Sequence, residues 1–295
     1  RRTALKMTAA ASVATLVAPN VSLANEDGLS WTHFPAGENG FYRAPILVSG
    51  PSEAVLIDGG FTLSDGQALA DAIKSTGKTL TTIFVSQSDP DFYFSLRPIV
   101  EAFPEARVIA ASETVAAINA NVAKKVETWG PQLGENGPQS VDDVVMPDVD
   151  DSTTLIVDGY KLDIVPAAGF ANRRYIWSED LRAVFGGVMV FSGTHVWLAD
   201  TQTKEERAAW IANLDAIIAR APRIVVPGHM TPDAPLGLES VAFTKAYLLA
   251  VEDELAKATT SEELNAAMRA SYPELGMGMA LDIGAKVLTG EMKWG

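Results

Sequence analysis

The chain has 295 residues, 47% of them hydrophobic, a formal net charge of −14 at pH 7 and no cysteine. This hydrophobic content is enough for a compact core and excludes an intrinsically disordered chain. The lack of cysteine excludes a disulfide framework, a thiolate zinc site, an iron–sulfur cluster and a cysteine nucleophile. The chain has 37 acidic and only 23 basic side chains, so its net negative charge repels phosphate backbones, and we expect no nucleic-acid partner.

The first 24 residues have the pattern of an export signal. Arg1 and Arg2 begin a basic segment, a weakly apolar run follows over residues 7–23, and small residues precede the predicted cleavage site after Ala24. The paired arginines resemble the bacterial twin-arginine signal, which implies the twin-arginine export machinery as a partner and a periplasmic or secreted protein. The apolar run is shorter than the roughly 20 residues that span a bilayer, so we expect no stable membrane anchor. The alternative is an amphipathic first helix, but the segment has no helical apolar stripe.

The first half of the mature chain alternates between strand and helix patterns. Two strands are predicted within residues 43–60, around a turn at residues 50–52. Ser64 and Gln67 have the spacing of a capping box, which would begin a helix. The remaining predicted elements are that helix over residues 64–75, a strand at 81–85, a short helix at 92–103, a strand at 107–110, a helix at 113–129 and a lid-sized loop at 130–137.

The second half begins with an antiparallel meander. Its short strands are predicted at residues 154–157, 161–165, 174–177 and 182–185. Thr203 and Glu206 then form a capping box for a helix that reaches Arg220. A buried strand at residues 223–226 ends in Pro227-Gly228-His229, and two further helices are predicted over residues 239–258 and from Thr260 or Ser261.

The two halves repeat one plan, in which strands are followed by a helix and a strand. Two such halves can pack sheet against sheet with their helices outside, which predicts an α/β (α+β) fold in the form of a four-layer αββα sandwich. No linker separates the C-terminal helices. Residues 25–295 are therefore predicted to form one domain with a helical C-terminal extension.

The loops after the predicted strands resemble those of the metallo-β-lactamase superfamily. The segments that carry the resemblance are Asp58-Gly59-Gly60, residues 86–94, Ala168-Gly169-Phe170, Phe185-Gly186-Gly187 and Pro227-Gly228-His229. They occur in the family's order, and the resemblance covers about residues 36–230. It implies the metallo-β-lactamase fold and a hydrolase.

The family's metal-binding motif, H-x-H-x-D-H, is degenerate in this sequence. Gln87 and Asp89 replace its first two histidines, Asp91 is retained, and Phe92 replaces its last histidine. Phe170 replaces a further histidine, Gly187 replaces the aspartate that bridges two metals, and His229 is retained. Phenylalanine binds no metal and glycine offers only its backbone, so we do not expect a dinuclear zinc site. The remaining metal hypothesis is one divalent ion, Zn, Mn or Mg, held by Asp89, Asp91, His229 and Gln87.

Other residues of these loops are predicted to complete the site. Asp58 would accept hydrogen bonds and orient the loop of Asp91. Asp91 and His195 are the predicted catalytic residues, His195 as a general base or an extra ligand, with Asp200 as a weaker candidate for a helper. The predicted pocket also contains Phe92, Tyr93, Phe170 and Gly187, whose aromatic members favour an apolar or ring-containing ligand.

Structural roles remain open for several of these residues. Asp89 and Asp91 also suit the N-terminus of a helix, where carboxylates cap free N–H groups. His229 and His195 also suit ordinary buried positions.

Two functions remain open at this stage. One is an exported hydrolase of a small ester, lactone or amide that uses an atypical or single-metal site. The alternative is a non-catalytic periplasmic protein that binds a small molecule and has lost its zinc site. A serine triad and a nucleotide-binding loop are disfavoured because the sequence has neither G-x-S-x-G nor G-x-G-x-x-G, and no residue is assigned to an organic cofactor.

Overall fold

A seven-stranded sheet forms the first half of the fold. The computed structural model describes residues 20–21 and 28–294. The strands of this sheet are β1 (Asn20–Val21), β2 (Ser30–His33), β3 (Ile46–Ser49), β4 (Glu53–Ile57), β5 (Thr79–Phe84), β6 (Arg107–Ala110) and β7 (Asp148–Val149). They lie side by side in chain order. The pairs from β1 to β4 are antiparallel and those from β4 to β7 are parallel, so the loops after β4 and β5 meet at one edge.

A five-stranded sheet forms the second half. Its strands are β8 (Thr154–Val157), β9 (Tyr160–Pro166), β10 (Arg174–Ser178), β11 (Ala183–Phe185) and β13 (Ile224–Val226), which pairs parallel to β11. The pairs from β8 to β11 are antiparallel, which confirms the predicted meander. A short parallel pair, β12 (Phe191–Ser192) and β14 (His229–Met230), places His229 beside Phe191.

Seven α-helices surround the sheets within the described residues. They are α1 (Leu63–Thr76), α2 (Leu96–Ala102), α3 (Ser112–Leu133), α4 (Lys204–Ala219), α5 (Leu238–Leu255), α6 (Ser261–Ser271) and α7 (Gly278–Leu288). The predicted capping box of α4 is confirmed, because Thr203 and Glu206 make both of its hydrogen bonds. The predicted box of α1 is wrong: Thr62 is the N-cap, and its hydroxyl accepts a hydrogen bond from the Asp65 N–H. Helix α3 runs through Pro131 to Leu133, so most of the predicted lid-sized loop is helical or in a single 3₁₀ turn.

The apolar side chains divide into two cores. Val48, Val55 and Ile57 of the first sheet share one buried cluster with Leu162 and Ile176 of the second, so the two sheets pack face to face. The residues that alternate with these along the same strands point to the opposite face of each sheet. They belong to the other buried cluster, which also contains apolar residues of the helices. The predicted αββα sandwich is thereby confirmed.

The predicted signal peptide, residues 1–24, lies outside the described residues except for the two residues of β1. Within residues 20–21 and 28–294, no helix combines the length and the apolar character that crossing a membrane requires.

Candidate functional site

Asp58 ties together the loops that follow β4 and β5. It adopts a left-handed φ of 62° directly after β4 and is fully buried. Its carboxylate accepts hydrogen bonds from the Ser86 N–H at 2.7 Å and from the Ser86 hydroxyl at 2.9 Å. Burial raises the pKa of Asp58, while Arg43 and the bonds from Ser86 oppose that rise. Asp58 therefore fixes the start of the loop that carries Asp91, and it lines neither of the two cavities described below.

The guanidinium of Arg43 lies among the residues that occupy the family's ligand positions. It is fully buried, and its Nη2 is 3.3 Å from the Asp58 carboxylate. Its Nη1 donates to the Gly228 carbonyl and its Nε donates to the Asp91 carbonyl at 3.2 Å. The flat face of the group covers the Phe92 ring, with Cζ 3.6 Å from the ring centre. One carboxylate, two carbonyls and one aromatic face thus replace the water that this cation has lost.

Asp91 and His229 contact each other beside this guanidinium. The His229 Nε2 is 3.3 Å from the Asp91 carboxylate, and the His229 Nδ1 is 2.8 Å from the Phe41 carbonyl. A carbonyl only accepts, so Nδ1 carries a proton, and Nε2 of the neutral ring is left to accept from a protonated Asp91. Burial raises the pKa of Asp91 to about 7, and Asp89 adds to the rise. Burial and the charge of Arg43 lower the pKa of His229 well below its usual 6.5. A protonated Asp91 and a neutral His229 together carry no net charge.

The residues of the proposed metal site do not fit a metal ion. One carboxylate oxygen of Asp89 accepts a hydrogen bond from the Gln87 amide at 2.5 Å, and the other lies 3.4 Å from the Lys125 ammonium. Both oxygens of Asp89 are therefore engaged. Asp91 and His229 contact each other, and the cation of Arg43 lies against them and would repel a metal. In the part of the chain that the structure describes, no three His, Cys, Asp or Glu side chains form a group that could hold a metal ion.

Three further residues of the predicted pocket lie in close packing, namely Phe92, Gly187 and Tyr93. Phe92 supplies the ring beneath Arg43 and meets the His229 ring edge-on at 6.0 Å. Gly187 has a left-handed φ of 48°, and a Cβ there would lie 2.9 Å from a backbone carbonyl. Tyr93 is buried, and its hydroxyl has no hydrogen-bond partner among residues 28–294, but it lines neither of the cavities described below.

His195 is not placed as a catalytic residue at this site. Its Nδ1 forms a hydrogen bond with the Tyr247 hydroxyl at 2.9 Å, and the side chain is buried against α5. Burial lowers the pKa of His195 to about 4, and the charge of Arg269 adds to this effect. His195 lines neither cavity, so the geometry gives it a structural contact where the sequence predicted a general base.

A cleft of about 530 Å³ opens beside Asp89 and contains Phe170, as predicted. Its walls combine aromatic rings and charges from α3, from the loop after β9 and from residues 292–294. A narrow channel lined by Asp91 and His229 adjoins it, and Asp89, Lys125, Trp129 and Trp294 line both spaces. The Asp91–His229 pair therefore lies next to the cleft.

Asp200 and Trp294 close one wall of the cleft. The Asp200 carboxylate accepts hydrogen bonds from the Trp197 and Trp294 indoles at 2.5 and 2.9 Å. The two indole rings meet edge to face at 5.3 Å. Asp200 is held by these bonds, and burial raises its pKa. It is therefore a wall residue rather than a partner of His195.

Sequence reasoning missed Arg43, Lys125, Arg173 and Trp294. Three of them come from segments far from the loops of the motif, whereas Arg173 lies only three residues after Phe170, and none belongs to a spacing pattern. The isolated arginine before the apolar run at residues 44–48 is the only hint of a buried cation.

Comparisons with known proteins agree on the fold. No protein-family model and no curated protein matches the chain. Among solved structures, the metallo-β-lactamase from Pontibacter korlensis matches with a TM-score of 0.54 at 18% identity, over 78% of this chain and 99% of that one. VMB-1 matches with a TM-score of 0.53 at 17% identity, over 79% and 98%. The DIM-1 metallo-β-lactamase matches with a TM-score of 0.52 at 14% identity, over 80% and 99%. The chain therefore has the metallo-β-lactamase fold, a fold that serves hydrolases.

Proposed function

We propose that this protein binds a small molecule in the cleft beside Asp89 and that it does so without a catalytic metal. The observation that carries the proposal is the buried Arg43 guanidinium, which contacts Asp58, the Asp91 loop and Gly228. A fixed cation among the former ligand positions opposes the binding of a second cation. This supports the non-catalytic alternative over a single-metal hydrolase.

The dimensions and walls of the cleft suit a ligand. Binding sites for small molecules measure about 300–1,000 Å³ and combine apolar walls with a few fixed polar groups. The cleft has about 530 Å³, with Phe170, Trp129 and Trp294 as apolar surfaces and Gln87 and Asn172 as amides. A ring-bearing molecule is the expected occupant.

Hydrolysis of an ester, lactone or amide requires an activated water. Of the predicted catalytic groups, only Asp91 lies beside the cleft, and it is bound to His229. We further propose that binding takes place in the periplasm or outside the cell, on the basis of the predicted export signal in residues 1–24.

Metal content is the first test of this proposal. The purified protein is incubated with Zn²⁺ or Mn²⁺, desalted and analysed for metal, and its melting temperature is compared with that of untreated protein. We expect less than about a tenth of an equivalent of metal and no stabilisation. A full equivalent that is lost in Asp91→Asn would overturn the proposal in favour of a metal-dependent hydrolase.

Ligand binding is the second test. Tryptophan fluorescence is titrated with neutral ring compounds such as indole, benzamide and 2-naphthol. Asn121 is exposed on α3 and lines the cleft, whereas Ala123 is exposed on the same helix away from it. We expect binding to the wild type and to Ala123→Trp, and none to Asn121→Trp, whose indole fills the cleft. Equal binding by both variants would place the ligand elsewhere and contradict the proposal.

A further inference from the structure

Arg173 is a buried arginine on the wall of the cleft without a carboxylate partner. Its exposed fraction is 3%, and it lines the cleft. Its Nη1 donates to the Thr201 hydroxyl and its Nη2 to the Asp200 carbonyl, both at 3.2 Å. These two neutral acceptors take two of the five N–H donors that an arginine side chain has. Its flat face lies 4.6 Å from the centre of the Phe170 ring.

The other buried arginines of the described chain are each neutralised. Arg43 pairs with Asp58, Arg174 with Glu113 and Arg207 with Glu252. No Asp or Glu within residues 28–294 comes within 4 Å of the Arg173 guanidinium. A buried charge without a direct ion pair is costly, and burial lowers the pKa of Arg173, while Asp89, Asp200 and Glu206 oppose this lowering from a greater distance. The fold therefore keeps a buried positive charge that an anion in the cleft would neutralise.

The charged side chains of the cleft also favour an anionic ligand. Its walls carry four cationic side chains, Lys124, Lys125, Arg173 and Lys293, and three acidic ones, Asp89, Asp200 and Glu206. The whole chain has 23 basic and 37 acidic residues, so the cleft is a basic site in an acidic protein. Apart from the Asp89–Lys125 pair, the cleft has three cationic and two acidic side chains, and the Asp200 carboxylate already accepts hydrogen bonds from two indoles.

We propose that the ligand of the cleft is a ring-bearing carboxylate, with its carboxylate on Arg173 and its ring against Phe170 and the tryptophans. The planar guanidinium matches a carboxylate with two parallel hydrogen bonds. Phe170 lies directly beside Arg173, so a carboxylate attached to an aromatic ring reaches both. The inference rests on the proposed function and specifies the chemical class of its ligand.

The test compares 1-naphthoate with 1-naphthamide, which has nearly the same shape and no charge. Binding is measured by calorimetry on the wild type, on Arg173→Gln and on Arg107→Gln. Arg107 is exposed and pairs with Asp150 outside the cleft, so it serves as the control. We expect the wild type and the control to prefer naphthoate at least about tenfold, as for a hydrogen bond to a charged group. Arg173→Gln should bind both probes with similar Kd, and added inorganic phosphate should not compete.

The outcomes separate this inference from the proposed function. Equal Kd values for the two probes in the wild type overturn the carboxylate inference and leave ligand binding in the cleft intact. If neither probe binds, the carboxylate inference also fails, and the neutral ring compounds and Asn121→Trp decide the proposed function separately. Competition by phosphate would replace the carboxylate with a phosphate ligand. If Arg173→Gln does not fold, Arg173→Lys is measured instead, because it retains the charge and loses the planar guanidinium. An unchanged preference of Arg173→Lys for naphthoate over naphthamide would overturn the contact by two parallel hydrogen bonds.

Discussion

The Cζ of Arg43 lies 3.6 Å from the centre of the Phe92 ring, with the two groups in face-to-cation contact. Phe92 supplies the aromatic face that a guanidinium prefers. The same guanidinium binds Asp58 and the carbonyls of Asp91 and Gly228. Arg43 and Phe92 are thus two parts of one packing arrangement.

Arg43→Met is expected to lower the free energy of unfolding by about 3–5 kcal/mol, because it leaves the buried Asp58 carboxylate without its cation. Urea denaturation at pH 7, followed by circular dichroism, measures this loss. Asp58→Asn in the Arg43→Met background should recover part of it, since the uncompensated charge is then gone.

The control for this prediction is Arg107→Met. The Arg107 side chain is 63% exposed and pairs with Asp150, so its replacement should change the free energy of unfolding by less than about 0.5 kcal/mol. A loss below about 1 kcal/mol in Arg43→Met would show that the guanidinium does not compensate Asp58.

Asp91 should make the stability of the protein depend on pH. Its pKa is about 7 in the fold, against an ordinary value of 3.8, so between these pH values the folded state holds a proton that the unfolded state has released. Stability from Asp91 is therefore fully present below about pH 4 and is lost as the pH rises through 7. The difference in unfolding free energy between the wild type and Asp91→Asn should fall by about 2–4 kcal/mol over this range. His229, whose lowered pKa acts in the opposite direction, is retained in both proteins. Parallel pH profiles of the two proteins would contradict the shift.

The layered fold and the meeting of Asp91 with His229 were predictable from the sequence. Both residues follow buried strands with clear apolar runs, and strand ends in a layered α/β fold converge at one edge. The capping box of α4 was predictable for a similar reason, because its two residues lie three positions apart and bond only each other's backbone.

The environment of these residues was not predictable. Arg43 reaches Gly228 across 185 positions of sequence. It follows Phe41 and Tyr42, which adopt left-handed φ values of 55° and 54° although neither is a glycine. The contact between His195 and Tyr247 of α5 is likewise not visible in the sequence, because the two residues lie 52 positions apart. Local patterns specify elements and caps, whereas the partner of a buried charge depends on tertiary packing.

The export prediction concerns Arg1 and Arg2. Replacement of both by lysine keeps the charge of the segment and removes the arginine pair that the export machinery recognises. The precursor should then accumulate in the cytoplasm, whereas the wild type should be recovered from the periplasm without its first 24 residues. Cell fractionation and N-terminal sequencing measure this, and Lys6→Arg is the control that should export normally. Unchanged export of the double lysine variant would argue for a different signal.

Gly228→Ala should destabilise the protein by about 3 kcal/mol or more, for a steric reason. A Cβ at this position would lie 1.8 Å from the Gly187 carbonyl oxygen and 2.8 Å from Nη1 of Arg43, so either the turn before β14 or the guanidinium has to move. Gly37→Ala is the control, because nothing lies within 4 Å of its Cβ position, and it should change stability by less than about 0.5 kcal/mol. Thermal unfolding of both variants compares the two effects. Equal melting temperatures would mean that Gly187, Gly228 and Arg43 are not packed as closely as described.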